Sequence, residues 1–346
     1  MEKSENQWQD IESILDNYSL KVQYCEKFGT IDKIYTDKGV FALKNIQPHS
    51  GMDFIRNVQM LYQRGYNRIV PIYITMDGRY GVLYNGRLYY LMPWLANAES
   101  GERNEKHKQM FRELARMHTL SVKDVSVKKE ERESHYEKTT EQWTKQKEFL
   151  EEFVEKCERN WYMSPFQLMY CSYFVDISQA LSYSVKKLNE WYEKSKDDTK
   201  LRTVVTHGKL STQHFLFDDR GYGYFINFEN AKVAPPHYDL LPFLLRSSKT
   251  YPVQSNDCID WLYTYFKFFS FKEEEMLLFV SYLAHPGYMI RIVEDYHRNP
   301  SKQSELKFVQ QLQRNYWLLK NIEYIVMRIE EIEQQKKAAQ QQPQSS

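Results

Sequence analysis

Residues 204–231, VVTHGKLSTQHFLFDDRGYGYFINFENA, decide the fold. An apolar run leads into His207 and Gly208, a polar loop follows, and two short aromatic segments flank the turn D-D-R-G. The second aromatic segment ends in the tripeptide N-F-E at 227–229. Apolar runs separated by a short turn that contains glycine predict a β-hairpin. The stretch is therefore expected to form a strand, a polar loop, a hairpin and a second polar corner.

The order of these features resembles that of small-molecule kinases of the aminoglycoside and choline phosphotransferase type. Those proteins read H-G-D-x-x-x-x-N and, after a short hairpin, D-F-E. By this resemblance, Lys209 stands at the position of the catalytic base Asp, His214 at that of the Asn, and Asn227 at that of the metal-binding Asp. The resemblance predicts an α+β, two-lobed protein-kinase-like fold, with a small antiparallel β N-lobe and a larger helical C-lobe.

These three substitutions act against metal-dependent phosphoryl transfer, which needs positioning, metal ions and an acceptor for a proton. The Lys209 ammonium donates hydrogen bonds and cannot accept a proton. Asn227 keeps the shape of an aspartate without its charge, whereas magnesium prefers anionic oxygen ligands. His214 presents a nitrogen, which suits zinc or copper better than magnesium. We therefore expect no catalytic residue and no metal site here.

The nucleotide site of such a kinase is only partly present in the sequence. The run A-L-K at 42–44 resembles the kinase strand whose lysine contacts phosphates, and Lys44 is the matching residue. The first turn contains one glycine, Gly29, rather than a glycine-rich loop. The following helix, DFIRNVQMLYQR, has no glutamate to pair with the lysine. Lys44 is thus predicted to lack an ion-pair partner, and the plain alternative is a solvated lysine at a strand end.

Two further residues carry structural roles by the resemblance. His207 is expected to point into the core and order the loop. Asp239, within PPHYDLLPF, matches an aspartate that braces the loop through backbone hydrogen bonds. His118, at the end of the run L-A-R-M-H, is expected to be a core histidine rather than a ligand, because no partner is visible nearby in the sequence.

The hydrophobic pattern divides the chain into three parts. Residues 1–95 are predicted to form the N-lobe, a small antiparallel sheet with one helix. Residues 96–337 form the predicted helical C-lobe, in which Trp143 and Trp161 mark a long amphipathic helix and the charged run 127–133 a solvated loop. The segment 338–346 is low in complexity and is predicted to be disordered.

Composition excludes several classes of function. The net charge is +1 at pH 7, which argues against electrostatic binding of nucleic acid. The longest apolar runs, such as residues 276–284, are too short to cross a bilayer, so no membrane span is expected. The four cysteines are far apart in the sequence and form no C-x-x-C pair, which is typical of free thiols.

The chain as a whole, from about residue 8 to 330, resembles the CotS/YutH/YsxE spore-coat family of the aminoglycoside phosphotransferase superfamily, and most closely its YsxE-type members. The segments KIYTDKGVFALKNI, LARMH, YFINFENA and PPHYDLLPFL carry the likeness together with the opening stretch. The resemblance implies a protein made in the mother-cell cytoplasm during sporulation of Bacillus-like bacteria and then deposited in the spore coat, with other coat proteins as partners.

Three hypotheses remain open from the sequence. The first is a pseudokinase that serves as a structural or interaction protein of the spore coat, without cofactors. The second is a small-molecule kinase that uses ATP and magnesium, with Glu229 holding the metal and Lys44 and Lys209 holding phosphates. The third is a binding module that recognises an anionic ligand through the two lysines without turnover. Any ligand is expected in the cleft between the lobes, and its identity is open.

Overall fold

The computed structural model describes residues 2–29, 31–48, 51–95, 97 and 103–341. The chain divides into two compact units. The first holds the chain up to Lys123 together with Thr203–Asp239, and the second holds Asp124–Arg202 together with the chain from Leu240 onward. The predicted lobe boundary at residue 95 stays a prediction.

The elements follow one another in the order of the chain. The strands are β1 (Val22–Phe28), β2 (Ile31–Thr36), β3 (Gly39–Ile46), β4 (Val82–Tyr84), β5 (Arg87–Pro93), β6 (Lys123–Ser126), β7 (Lys200–Thr206), β8 (Phe215–Phe217), β9 (Gly223–Phe225) and β10 (Lys232–Ala234). The helices are α1 (Glu2–Leu15), α2 (Gly51–Gln63), α3 (Arg103–Ser121), α4 (Lys129–Glu158), α5 (Pro165–Ser195), α6 (His237–Ser247), α7 (Asp257–Phe268), α8 (Glu273–Ala284), α9 (Gly287–Arg298) and α10 (Glu305–Gln341).

The first unit is built on a five-stranded antiparallel sheet in the order β1-β2-β3-β5-β4. Side chains alternate between the two faces of a strand, so Ile34, Leu43 and Leu91 fall on one face, where they form a core with Ile14 and Leu15 of α1. Burial of each such aliphatic side chain contributes about 1.5–3 kcal/mol. The sheet is therefore covered by α1 on one face, and the opposite face carries both apolar residues, such as Ala42 and Met92, and polar ones.

The register of the sheet decides which polar residues meet on that opposite face. Strand β3 pairs with β5 so that Lys44 lies opposite Tyr90. Because directly opposite residues of an antiparallel pair point to the same face, the Lys44 and Tyr90 side chains share the face that α1 does not cover.

The second unit is helical, and local capping sets where its long helices begin. Pro165 occupies the first turn of α5, and the Ser164 hydroxyl accepts a hydrogen bond from the Gln167 amide at 3.2 Å. The Gln167 side chain in turn accepts one from the Ser164 amide at 2.9 Å, which completes a capping box. Helices α4, α5, α9 and α10 share one core, in which Phe166 stacks on Tyr296 at 3.9 Å between ring centroids.

The predicted α+β kinase-like fold, with an antiparallel sheet and a helical part, is confirmed. Two local predictions are wrong. Helix α4 begins at Lys129, inside the charged run predicted to be a loop, and ends at Glu158, so Trp161 lies beyond it and is 89% exposed. Helix α10 continues to Gln341, which contradicts predicted disorder for 338–341; residues 342–346 lie outside the described residues.

One apolar segment, Glu273–Arg298, is long and apolar enough by composition to cross a membrane. It consists of α8 and α9 with a break at Pro286, and most of its apolar window is buried inside the protein. Buried core helices have the same composition, so this segment says little about a membrane, and the expectation of no membrane span stays a prediction.

His285, at the end of α8, should make the stability of the second unit depend on pH. Its ring stacks on Trp143 at 4.5 Å and its Nε2–H donates to the Gln146 side-chain oxygen at 3.0 Å. Burial lowers the pKa of His285 from 6.5 to about 4. The unfolded chain therefore binds the proton first, so stability is complete above pH 6.5 and falls as the pH drops towards 4, by roughly 3 kcal/mol in all.

Urea unfolding at several pH values checks this. His285→Phe keeps an aromatic ring against Trp143 and should flatten the pH dependence between 4 and 6.5 relative to the unchanged protein. The same substitution at the exposed His297 controls for the replacement of a histidine by phenylalanine. Equal slopes in all three proteins would show that His285 is not the titrating group.

Candidate functional site

Asp239 anchors the polar loop that follows β7. Its carboxylate is buried and accepts hydrogen bonds from two successive backbone amides, those of His207 at 2.7 Å and Gly208 at 2.8 Å. The His118 imidazole of α3 donates to the same carboxylate at 3.2 Å. Burial raises the pKa of Asp239. The hydrogen bond and charge of His118, together with the hydrogen bond from the His207 amide, outweigh burial and hold the pKa of Asp239 below its usual value. An ionised, buried carboxylate thus holds the backbone of the loop in place.

The loop requires glycine at position 208. Gly208 has φ +77°, and a Cβ atom there would lie 2.1 Å from the backbone oxygen of Asn230. No side chain can be accommodated at that distance. The next corner, at Asn227, is also left-handed, with φ 67° and ψ 52°, a conformation that asparagine and aspartate tolerate better than most residues.

His207 connects the loop to the strand that carries this corner. Its Nε2–H donates to the backbone oxygen of Ile226 at 2.8 Å, and its Nδ1 accepts from the Lys209 amide at 3.3 Å. Burial lowers the pKa of His207, so the ring is neutral and its two nitrogens have fixed, opposite roles. The loop and the Asn227 corner are therefore held in register by one buried ring.

His214 and Lys209 face the site from the loop itself. The Nδ1–H of His214 donates to the Lys209 backbone oxygen at 2.8 Å. Burial lowers the pKa of His214 as well, which leaves Nε2 as an acceptor. The Lys209 side chain is exposed, and among the residues that the structure describes its ammonium has no hydrogen-bond or ion-pair partner.

Lys44 lies at the centre of the site. Its ammonium donates to the Asn227 side-chain oxygen at 2.5 Å and forms a short ion pair with Glu229. The Tyr90 hydroxyl donates to the same carboxylate oxygen of Glu229. Only 12% of each side chain of the Lys44–Glu229 pair is exposed. The sheet thus contributes an ammonium and a hydroxyl, and the corner after β9 contributes an amide oxygen and a carboxylate.

The charge of Glu229 is stabilised within this cluster. Burial raises the pKa of Glu229, but the Lys44 ammonium, through its charge and its hydrogen bond, together with the Tyr90 hydroxyl, brings the pKa below its usual value. The buried charges of the cluster, one ammonium and one carboxylate, cancel each other.

A model of the phosphotransferase enzyme family, APH, matches residues 33–279, which is more than half of the chain. The chain belongs to this family. The match spans β3, the loop after β7 and the Asn227 corner. It therefore includes the cluster of Lys44, Tyr90, Asn227 and Glu229, hereafter the APH site. None of the curated proteins matches the chain.

Solved structures of this family share the fold at low sequence identity. An aminoglycoside phosphotransferase from Alicyclobacillus acidocaldarius is 15% identical with a TM-score of 0.70, over 92% of this chain and 95% of that one. The AMP-bound spectinomycin phosphotransferase APH(9)-Ia is 13% identical with a TM-score of 0.55, over 92% and 97%. At these identities the likeness establishes the fold alone.

The prediction that Lys44 lacks an ion-pair partner is wrong. The partner is Glu229, 185 positions further along the chain, rather than a residue of the following helix. Helix α2 contributes Asn57 instead, whose side chain donates to the Ala231 backbone oxygen at 3.0 Å. The helix is thereby fastened to the segment after Glu229 without contributing a charge to the APH site.

The residues of the APH site do not fit magnesium, the metal that the family implies. Magnesium prefers several anionic oxygens in octahedral geometry. The site offers one carboxylate, that of Glu229. One oxygen of this carboxylate already accepts hydrogen bonds from Lys44 and Tyr90. The Asn227 oxygen is neutral and is also bonded to Lys44. Among the described residues, no group of three or more His, Cys, Asp and Glu side chains could hold a metal ion.

Two residues of the site were missed by sequence reasoning. Tyr90 is visible as a functional residue only through the β3–β5 register, which a single sequence does not define. His118 was expected to be a core histidine, and it is fully buried; its contact with Asp239 of α6, which is distant in the sequence, was not foreseen. A histidine at the end of an otherwise apolar helix face was the available signal, because a buried imidazole needs a hydrogen-bond partner.

Removing either charge of the Lys44–Glu229 pair should destabilise the protein strongly. Lys44→Met leaves a buried carboxylate, Glu229→Gln leaves a buried ammonium, and each should cost about 3–5 kcal/mol. The double variant should lose much less than the sum, because no unpaired charge remains. Urea denaturation of the four proteins measures this coupling.

The exposed pair Lys145–Glu141 provides the matched control, since it is also a lysine–glutamate contact but its side chains are 69% and 65% exposed. The same substitutions there should show no measurable coupling, because solvent screens exposed charges. A buried pair that couples no more strongly than this control would contradict the described geometry.

Asp239→Asn should also destabilise the protein, by about 3 kcal/mol. The His207 and Gly208 amides bond to different carboxylate oxygens, so an asparagine must turn its NH₂ group toward one of these donors. Chemical denaturation measures the loss, and the exposed Asp219→Asn is the control. An Asp239→Asn protein as stable as the control would show that the loop is held by other contacts.

Proposed function

We propose that the chain is a pseudokinase, a phosphotransferase-family protein that serves as a structural or interaction protein and does not transfer phosphate. One observation carries the proposal. The Lys44 ammonium, which a kinase needs for the phosphates, is bonded to both residues at the metal position, Asn227 and Glu229. A cation that belongs to the chain thus lies where the family places a metal ion.

This arrangement opposes the binding of a magnesium nucleotide on electrostatic grounds. Phosphates could recruit Lys44 only by taking it from Glu229, which would leave a buried carboxylate beside the incoming negative charge. Like charges in a poorly solvated site repel strongly. The exposed Lys209 can attract an anion, but it supplies neither a metal ligand nor a base.

A small-molecule kinase is the second candidate, and one observation favours it. The Nε2 atom of the neutral His214 is an acceptor, so it could take a proton from a substrate hydroxyl. This candidate still requires Glu229 to hold the metal in place of its present partners. If it is correct, His214→Gln should abolish phosphate transfer that the unchanged protein performs.

The setting of the proposed function rests on the resemblance of the sequence to the CotS/YutH/YsxE family. We place the protein in the mother-cell cytoplasm and then in the spore coat, with other coat proteins as partners. A fluorescent fusion in sporulating cells should form a shell around the developing spore. Fluorescence that stays diffuse in the mother cell until lysis would contradict this placement.

A thermal-shift titration tests the pseudokinase directly. The purified protein is titrated with ATP, ADP and GTP, each with and without magnesium. A ligand present at about 100 times its Kd stabilises a protein by about 2.7 kcal/mol, which raises Tm by several degrees. We expect no magnesium-dependent rise. A rise that requires magnesium, together with phosphate transfer, would overturn the proposal in favour of the kinase.

A gain-of-function variant complements this test, because it is expected to show the response that the unchanged protein lacks. Lys209→Asp, His214→Asn and Asn227→Asp together restore the family residues, and Asp suits the left-handed corner at 227. The triple variant should acquire a magnesium-dependent rise in Tm with ATP. Gln213→Asp, an exposed residue of the same loop, adds a carboxylate outside the site and should acquire none. A triple variant that stays unresponsive would mean that the three positions do not explain the loss.

A further inference from the structure

A cavity of about 290 Å³ lies between α5 and α10 in the second unit. Its walls come from one face of each of these helices and from the last residue of α8. The apolar residues that line it are Ala180, Ala284, Leu319, Ile322, Val326 and Met327. Helices α5 and α8 each contribute an alanine, so no large side chain fills the space in front of α10. A volume of this size is close to the lower end of the range for small-molecule sites.

One end of the cavity is formed by Asp176 of α5 and Glu323 of α10. The Lys320 ammonium contacts both carboxylates, at 3.9 Å from Asp176 and in a short ion pair with Glu323. Lys320 makes these contacts without lining the cavity. The ion-paired groups at this end are therefore two carboxylates and one ammonium, which leaves one negative charge.

The opposite end of the cavity has the same balance of ion-paired groups. Glu330 of α10 lines it, and the Lys187 ammonium of α5 contacts Glu330 at 2.8 Å and Glu190 at 3.0 Å. Lys187 also lies over the ring of Tyr183, 5.5 Å from its centroid, so Tyr183 lines this end. The Tyr183 hydroxyl is shielded from solvent and has no hydrogen-bond partner among the residues that the structure describes. Buried polar groups are normally satisfied, so this end offers a ligand a hydroxyl as well as a negative charge.

The spacing of the two ends limits the ligands that can occupy the cavity. Glu323 and Glu330 are two helical turns apart on α10, a rise of about 10.5 Å, and the wall between them is apolar. A negative charge at each end and an apolar middle are complementary to a methylene chain with an ammonium group at each terminus. A chain with a single ammonium would neutralise one end only, and a neutral chain would neutralise neither.

We propose that this cavity binds a linear aliphatic diamine, with one ammonium group at Asp176 and Glu323 and the other at Glu330 and Tyr183. Each ammonium donates charge-assisted hydrogen bonds to the carboxylates at its end, and the methylene chain packs against the apolar wall. This binding site is independent of the proposed function, because all of its lining residues belong to the second unit and none belongs to the APH site or to the loop after β7.

Calorimetric titration of the full-length protein with the terminal diamines of butane, hexane, octane and decane tests the spacing. An extended octane chain holds its two ammonium groups about as far apart as two helical turns, roughly 10.5 Å, so diaminooctane should bind most tightly. Diaminobutane cannot reach both ends and should bind about tenfold more weakly, as should octylamine, which has one ammonium. Octanediol, which has no charge, should bind more weakly still. An affinity that rises steadily with chain length, or the absence of binding, would overturn the proposal.

Variants test whether the diamine binds in this cavity. In Glu330→Gln, the advantage of diaminooctane over octylamine should disappear, because only one end still attracts an ammonium. Glu331→Gln is the matched control: it removes the same charge from the next residue of α10, which pairs with Arg328 and does not line the cavity, and it should keep the advantage. A Glu330→Gln protein that behaves like this control would contradict the proposed position of the ligand.

A cavity-filling variant separates this cavity from other acidic surfaces of the protein. Ala180→Leu places a larger side chain in the cavity without changing any charge, and it should abolish the binding of diaminooctane. Because this substitution alters packing, its Tm is compared with that of the unchanged protein, and Glu330→Gln provides the test that leaves the shape of the cavity unaltered. Diaminooctane that binds Ala180→Leu as tightly as the unchanged protein would show that it binds elsewhere.

Discussion

The rest of the site depends on the buried carboxylate of Asp239. It fixes two successive amides of the loop, and those amides fix His207. His207 in turn holds the carbonyl of Ile226, the residue before the Asn227 corner. A single ionised group, stabilised by His118 and by backbone donors, therefore determines where the corner lies. Because the same corner carries the acceptors for Lys44, the position of a charge in the sheet depends on a carboxylate in α6.

The chemistry of the site follows from how its charges are balanced. In this chain, Lys44 and Tyr90 both donate to the same carboxylate oxygen of Glu229, so the charges of the cluster are paired within the protein. Under the pseudokinase proposal, a metal-bound nucleotide would have to break this pairing.

The fold and the bracing of the loop by His207 and Asp239 were expected from the sequence, because the motifs that carry the resemblance are local. The partner of Lys44 was not, because that contact joins distant parts of the chain. His207, Gly208 and the 227–229 corner lie within one stretch, whose spacing carries the resemblance to the family. The partner of Lys44 is 185 positions away and differs from the partner that the family supplies. The predicted start of helix α4 was too late in the chain, because the first turns of the helix face solvent and show no apolar pattern. Tertiary packing, rather than periodicity, decided these cases.

The left-handed corner at Asn227 has a consequence for the history of such a site. Asparagine and aspartate both tolerate this backbone conformation, so exchanging one for the other requires no rearrangement of the chain. The change from aspartate to asparagine and the change from asparagine to aspartate have different electrostatic effects. Loss of the carboxylate leaves Lys44 and Glu229 balanced, whereas its return adds a second buried negative charge beside a single ammonium. The two residues can therefore be exchanged without rebuilding the corner, but a carboxylate at this position is balanced only when a further cation, such as a bound metal ion, joins it.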